Sequence, residues 1–225
     1  MSRNQLIIVV VAVVIIAAAV FAYYYWPSGT SSQAAIPETV GGTSYAVATD
    51  DHTLGSPKAP VTIIEYAAPT CPHCAHFDAD TFPQVKTNYI DTGKVYYVFR
   101  VFPLHPSDGA VEAMARCLPK DNYFQFIDLM FRNQQKWDWE YGVSDIHGAL
   151  VQMGRIAGLS PEQVDKCIGD KAVQDNVNKV AQDGQTKYNI SGTPTFIING
   201  GIHTAGDVGT YADMQKVLDP LLAKK

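Results

Sequence analysis

Val61-Thr62-Ile63-Ile64-Glu65-Tyr66 leads within five residues to Cys71-Pro72-His73-Cys74, and Ala75-His76-Phe77-Asp78-Ala79-Asp80-Thr81-Phe82 follows. The first stretch, β-branched and apolar around one acid, has the composition of a buried strand. The last reads as a helix. A Cys-X-X-Cys pair at a strand-to-helix junction is a redox motif. Its first thiol stands at a helix start, where unpaired N–H groups and the dipole favour an anion. A lowered thiol pKa follows, and the thiolate is the nucleophile of disulfide exchange. His73, between the cysteines, is expected to add positive charge or a hydrogen bond to the same sulfur.

Outward from this centre, Val95–Phe102 is a second strand, ended by Pro103 and Pro106. Pro83 is expected to kink or break the active-site helix. Residues 107–188 read mostly helical. Ser160-Pro161-Glu162-Gln163 carries an N-cap, a proline at the first helical position and a capping-box Gln. Ser144 and Asp121 are further expected caps. Thr195–Ile198 and Ile202–Thr204 flank Asn199-Gly200-Gly201, a hairpin signal. An amphipathic helix over 211–222 closes the chain, with Pro220 weakening its last turn.

The 225 residues carry a formal charge of -5 and no basic cluster, which argues against a nucleic-acid partner. Leu6–Trp26 is an unbroken apolar run, long enough to cross a bilayer and closed by Tyr23-Tyr24-Tyr25-Trp26. Residues 1–26 are therefore read as an N-terminal membrane anchor, with a cleaved signal sequence as the rival. Arg3 ahead of the run places the remainder outside the cytoplasm. Residues 27–44, rich in Pro, Ser, Gly and Thr, read as a flexible linker spanning roughly 20–25 Å. Residues 45–225 form the globular part, with a helical insertion at about 107–188.

Cys71-Pro72-His73-Cys74, Glu65 six residues upstream, the helical insertion and Gly192-Thr193-Pro194-Thr195 together resemble the DsbA family. These are thioredoxin-fold thiol:disulfide oxidoreductases of the bacterial cell envelope, and the resemblance covers about residues 45–224. It implies an α/β thioredoxin-like fold with an inserted helical domain. Cys71 is then the attacking thiol and Cys74 the more buried, resolving one. Pro194 is cis and faces both, so that the backbone of Thr193 can pair with a bound substrate strand. An acid at the offset of Glu65 serves Cys74. Arg100, in the neighbouring strand, is either its charge partner or solvated.

Cys117 and Cys167 lie in the helical block, away from any reactive neighbourhood. In an oxidising compartment they are expected to form a structural disulfide, with a second redox pair that tunes the first as the alternative. Closing a loop of this length stabilises by roughly 4 kcal/mol in the chain-entropy model. His52, His105, His147 and His203 show no metal spacing, and no metal or cofactor is expected. Trp137-Asp138-Trp139-Glu140-Tyr141 is expected to pack into the helical core, or else to line a groove.

The expected activity is disulfide donation to reduced or unfolded envelope proteins, with reoxidation by a DsbB-like membrane partner. Localisation is the inner membrane with the domain in the periplasm, or the soluble periplasm after signal cleavage. Two other readings stay open. One is a reductase or isomerase on the same fold; the other is a non-catalytic chaperone or copper-binding envelope protein. Two thiols can hold Cu(I), although Met114, Met130 and Met153 form no Met-rich motif.

Overall fold

The computed structural model describes residues 47–223; the apolar run at 6–26 and the linker at 27–44 lie outside that range. One sheet has the strand order β1-β3-β2-β4-β5, made of β1 (His52–Leu54), β2 (Val61–Ala67), β3 (Val95–Val101), β4 (Thr195–Ile198) and β5 (Gly201–Thr204). β2 and β3 are parallel, and the other pairings are antiparallel. The short strand β1 was not anticipated; three residues are too few to show an alternating pattern.

A parallel pair needs a crossover, and residues 72–90 supply it. α1 (Pro72–His76) and α2 (Phe82–Val85) are joined by a π-helical turn at Phe77–Thr81 and followed by another at Lys86–Ile90. Pro83 does not break this segment. It sits in the first turn of α2, directly after the π turn in which Phe82 N–H bonds Phe77 O. A missing N–H costs little there.

The alternation of β2 sorts its side chains. Ile63 and Ala67 join one core with Tyr97, Phe99 and the insertion; Ile64 and Tyr66 join a smaller one with Tyr96, Val98 and Ile197. Glu65 belongs to the Ile63 face.

Between β3 and β4 the chain forms α3 (Pro106–Cys117), α4 (Tyr123–Arg132), α5 (Gln134–Trp137), α6 (Ile146–Ile156), α7 (Pro161–Ile168) and α8 (Lys171–Tyr188). The Ser160–Gln163 capping box forms at the head of α7. The cap of α6 is Asp145 rather than Ser144, because Asp145 Oδ1 accepts Gly148 N–H at 2.9 Å. Asp121 does not cap α4; it lies in a 3-10 turn at Lys120–Asn122. After the hairpin, α9 (Ala205–Val208) and α10 (Tyr211–Ala223) pack back on the sheet side of the core through Val208, Met214 and Leu218.

The aromatic cluster divides. Trp137 is fully buried and its indole N–H donates to Met130 O at 2.9 Å. Trp139 and Tyr141 remain about half exposed, with His105 edge-on to Trp139. Met114, Met130 and Met153 are buried in the core, unavailable to an outside ligand.

Candidate active site

Cys71 is the N-cap residue of α1, with extended backbone (φ -72°, ψ 119°), and Pro72 occupies the first helical position. Pro72 has no N–H, so the N–H groups of His73 and Cys74 are the first that reach the sulfur. The Cys71 thiol is held down at about 6, chiefly by the Cys74 S–H hydrogen bond, with help from the Thr193 hydroxyl and those two N–H groups, against the opposing effect of burial. The His73 contribution comes through its main chain, and its side chain is exposed. Cys74 moves the opposite way: burial, the bond it gives to Cys71, and the negative charges of Cys71 and Glu65 push its thiol well up.

Both cysteines are free thiols. Cys71 keeps 5% of its surface and Cys74 none, so the difference in access expected between them is narrow. The loop before β4 provides part of the cover. The Thr193–Pro194 peptide is cis, and Thr193 O accepts from Cys71 Sγ at 3.4 Å. Thr193 Oγ1 is buried with no hydrogen-bond partner in this thiol form, leaving its proton able to turn to the sulfur once that sulfur is an anion.

Glu65, 2% exposed, lies on the same side of the sheet. Burial pushes its carboxyl up to about 8; the Tyr97 hydroxyl, which donates to Oε2 at 2.5 Å, opposes this, and the charges of Asp78 and Cys71 add to it. Arg100 is not its partner. In register Glu65 stands opposite Phe99 and Tyr66 opposite Arg100, so the guanidinium belongs to the other face. There it binds both carboxylate oxygens of Asp51 (2.9 and 2.7 Å) and the Tyr66 hydroxyl (2.8 Å).

Tyr97 and Asp108 were missed in the sequence. Nothing in β3 marks Tyr97 except a period-two match to the Glu65 face. Asp108, fully buried near the start of α3, accepts from Thr70 N (2.8 Å), Thr70 Oγ1 (3.1 Å), Leu104 N and His105 N (both 2.9 Å). Its sequence signal was an acid in the first turn of a helix opened by Pro106. Cys117 and Cys167 are bonded to each other, joining α3 to α7 with Cα atoms 6.0 Å apart. They take no part in the Cys71 surroundings described above. Among the described residues no cluster of His, Cys, Asp and Glu suits a metal ion.

A Thioredoxin family model matches residues 48–220. A Rickettsia typhi protein named as a protein-disulfide oxidoreductase is 33% identical over 162 residues, 70% of this chain and 57% of its own length. The chain therefore spans a little over half of that relative. A Bacillus cereus protein named for disulfide bond formation (protein D) is 29% identical, over 76% of this chain and 78% of its own. The crystal structure of Wolbachia pipientis α-DsbA1 superposes with a TM-score of 0.72 at 30% identity, covering 80% of this chain and 94% of that one. Fold and site together define a thioredoxin-fold protein with a helical insertion and a Cys-X-X-Cys centre. The chain belongs to the DsbA-like family of thiol:disulfide oxidoreductases.

Proposed function

We propose that this protein donates the Cys71–Cys74 disulfide to reduced proteins of the cell envelope. The observation that carries the reading is the unequal placement of the two sulfurs: Cys71 stands at the head of α1 beside the Cys74 S–H and Thr193, which lower it to about 6, and Cys74 is fully buried one turn in, which raises it. A substrate thiolate attacks Cys71 Sγ of the oxidised pair, and Cys74 leaves as a thiolate. Because Cys74 is the more basic sulfur, it needs a proton at once. Glu65, mostly protonated at pH 7 and close enough that its ionisation raises Cys74, is the acid placed to supply it. A second substrate thiolate then attacks the substrate sulfur of the mixed disulfide. Cys71 departs as a stabilised thiolate, the better leaving group. Two substrate thiols become one disulfide and the enzyme's disulfide becomes the Cys71 thiolate and the Cys74 thiol; of the two substrate protons, one restores Glu65 and the other passes to solvent. A stable Cys71 thiolate favours the reduced enzyme, which makes the oxidised form a strong oxidant.

Under this reading His73 and Pro72 shape the helix start, Thr193 and Pro194 line the sulfur, and Cys117–Cys167 is structural. Residues 6–26 anchor the domain to the inner membrane, 27–44 tether it, and a quinone-linked, DsbB-like membrane partner reoxidises it. Among the described residues no helix is long and apolar enough to cross a membrane, so the anchor rests on the sequence of 6–26 alone. Membrane fractionation of the full chain tests it.

The decisive test is titration of the reduced protein by thiolate absorbance, with alkylation trapping of Cys71 and Cys74 in cells. A midpoint near 6 and a mostly oxidised pair are expected, with all peptide oxidation lost in Cys71→Ser. An ordinary thiol midpoint of about 8.5, or a potential near the thioredoxin value of about -270 mV, overturns the donor direction in favour of reduction or isomerisation.

A further inference from the structure

The loop carrying Cys71 is held from the helical insertion. Between β2 and α1 the chain runs Ala68-Pro69-Thr70-Cys71, and its only internal main-chain tie is Cys71 N–H to Ala68 O at 2.9 Å. Pro69 has no N–H to give. Thr70 is fastened to Asp108 of α3. Two further carbonyls of this stretch, those of Pro69 and Cys71, are met by one side chain. Gln134 Nε2 donates to Pro69 O at 2.8 Å and to Cys71 O at 3.1 Å.

Gln134 belongs to α5 and is 5% exposed. Only the amide NH2 end can face two carbonyl oxygens, so the side chain has one admissible orientation. Its Oε1 turns outward, 3.5 Å from the hydroxyl of half-exposed Tyr141.

We infer that Gln134 is a positioning residue for disulfide exchange, fixing the Cys71 main chain so that its sulfur meets its donors. The inference rests on Cys71 being the nucleophile. Cys71 O also accepts Ala75 N–H at 3.1 Å, so the amide binds the same carbonyl that starts α1. A shift there moves Sγ relative to the His73 and Cys74 N–H groups on one side and Thr193 on the other. Those short contacts stabilise the anion and weaken steeply with distance and angle. The two amide hydrogens also draw on carbonyl dipoles whose negative ends lie in the residue bearing the sulfur and two residues before it. Removing both donors therefore destabilises the thiolate on two counts, and leaves two carbonyls without the amide.

The test uses the reduced full-length protein and two uncharged variants without donors, Gln134→Met, of similar length, and Gln134→Leu, one atom shorter. Thiolate absorbance against pH gives the Cys71 midpoint, and the rate of Cys71 alkylation at pH 6 gives its reactivity. The wild-type midpoint tests the nucleophile; only the difference between wild type and variant tests Gln134. The expected result is a Cys71 thiol about threefold less acidic in Gln134→Met, about half a pH unit, and a shift of the same sign in Gln134→Leu, with alkylation at pH 6 slowed about twofold as the thiolate fraction falls. Should the Met variant not fold, the Leu variant is read against the same expectation. A folded variant of lower thermal stability whose midpoint and alkylation rate equal those of wild type overturns the inference and leaves Gln134 a packing residue.

Discussion

Two buried glutamates, built almost alike, behave differently. Glu65 in β2 and Glu112 in α3 are each 2% exposed, and each accepts a tyrosine hydroxyl at 2.5 Å, from Tyr97 and Tyr123 respectively. Burial raises both carboxyls. Glu112 has in addition the guanidinium of Arg116, whose Nε lies 2.6 Å from Oε1, and both its charge and its hydrogen bond oppose that rise. Glu65 has no cation among the influences that act on it; its charged neighbours are Asp78 and Cys71, and it reaches about 8. The contrast sets a carboxyl whose rise is opposed by a guanidinium against one whose rise no cation opposes. Burial and a phenol are common to both, so the guanidinium makes the difference.

Arg116→Met should convert the first site into the second. It strands Glu112 in the insertion and should cost about 3 kcal/mol in urea unfolding, with added loss as pH rises. The double variant Arg116→Met/Glu112→Gln should recover most of it. A single variant as stable as wild type would break the comparison.

Glu65→Gln is the converse case, and its effect has the opposite sign. The unfolded carboxyl ionises near its ordinary 4.5 and the folded one at about 8. Across that window the folded state holds the extra proton, so wild-type stability falls as pH rises. The variant should lack this slope and be more stable by about 2 kcal/mol at pH 8, while releasing Cys74 more slowly in peptide oxidation. Parallel stability–pH curves for the two proteins would remove the proton from Glu65.

His52 sharpens the structural side. It stacks on Tyr123 with ring centroids 3.4 Å apart, and burial first, then the Arg116 and Lys120 charges, lower it to about 4. Its contribution is complete above 6.5 and is lost as pH falls towards 4, where only the unfolded state has taken the proton. After allowance for its partial exposure, His52→Phe should reduce the acid loss between pH 6.5 and 4.5 by about 1 kcal/mol. An unchanged difference between those two pH values would place the acid sensitivity elsewhere.

The smallest effect belongs to the phenol. Tyr97→Phe removes the one donor that favours ionised Glu65, so the carboxyl should titrate higher still, by an amount worth about 1 kcal/mol. Infrared difference spectroscopy of the carboxyl band follows this directly; a lowered midpoint would assign the Tyr97 hydroxyl the opposite role.

Local sequence was enough for the elements whose chemistry is local. The strand at Val61, the helix start at Cys71, the Ser160–Gln163 capping box and the Asn199-Gly200 turn each depend on residues within a few positions of one another. The cysteine centre and the residues that resemble the DsbA family were legible for the same reason. Tertiary structure alone decided which groups meet across the chain. It turned Arg100 to Asp51 on the far face of the sheet, set Tyr97 against Glu65, and brought Asp108 and Gln134 from the insertion to the Cys71 loop. Such pairings follow from strand register and helix docking, which no neighbouring residue specifies, and the acidity of a buried group depends on all of them at once.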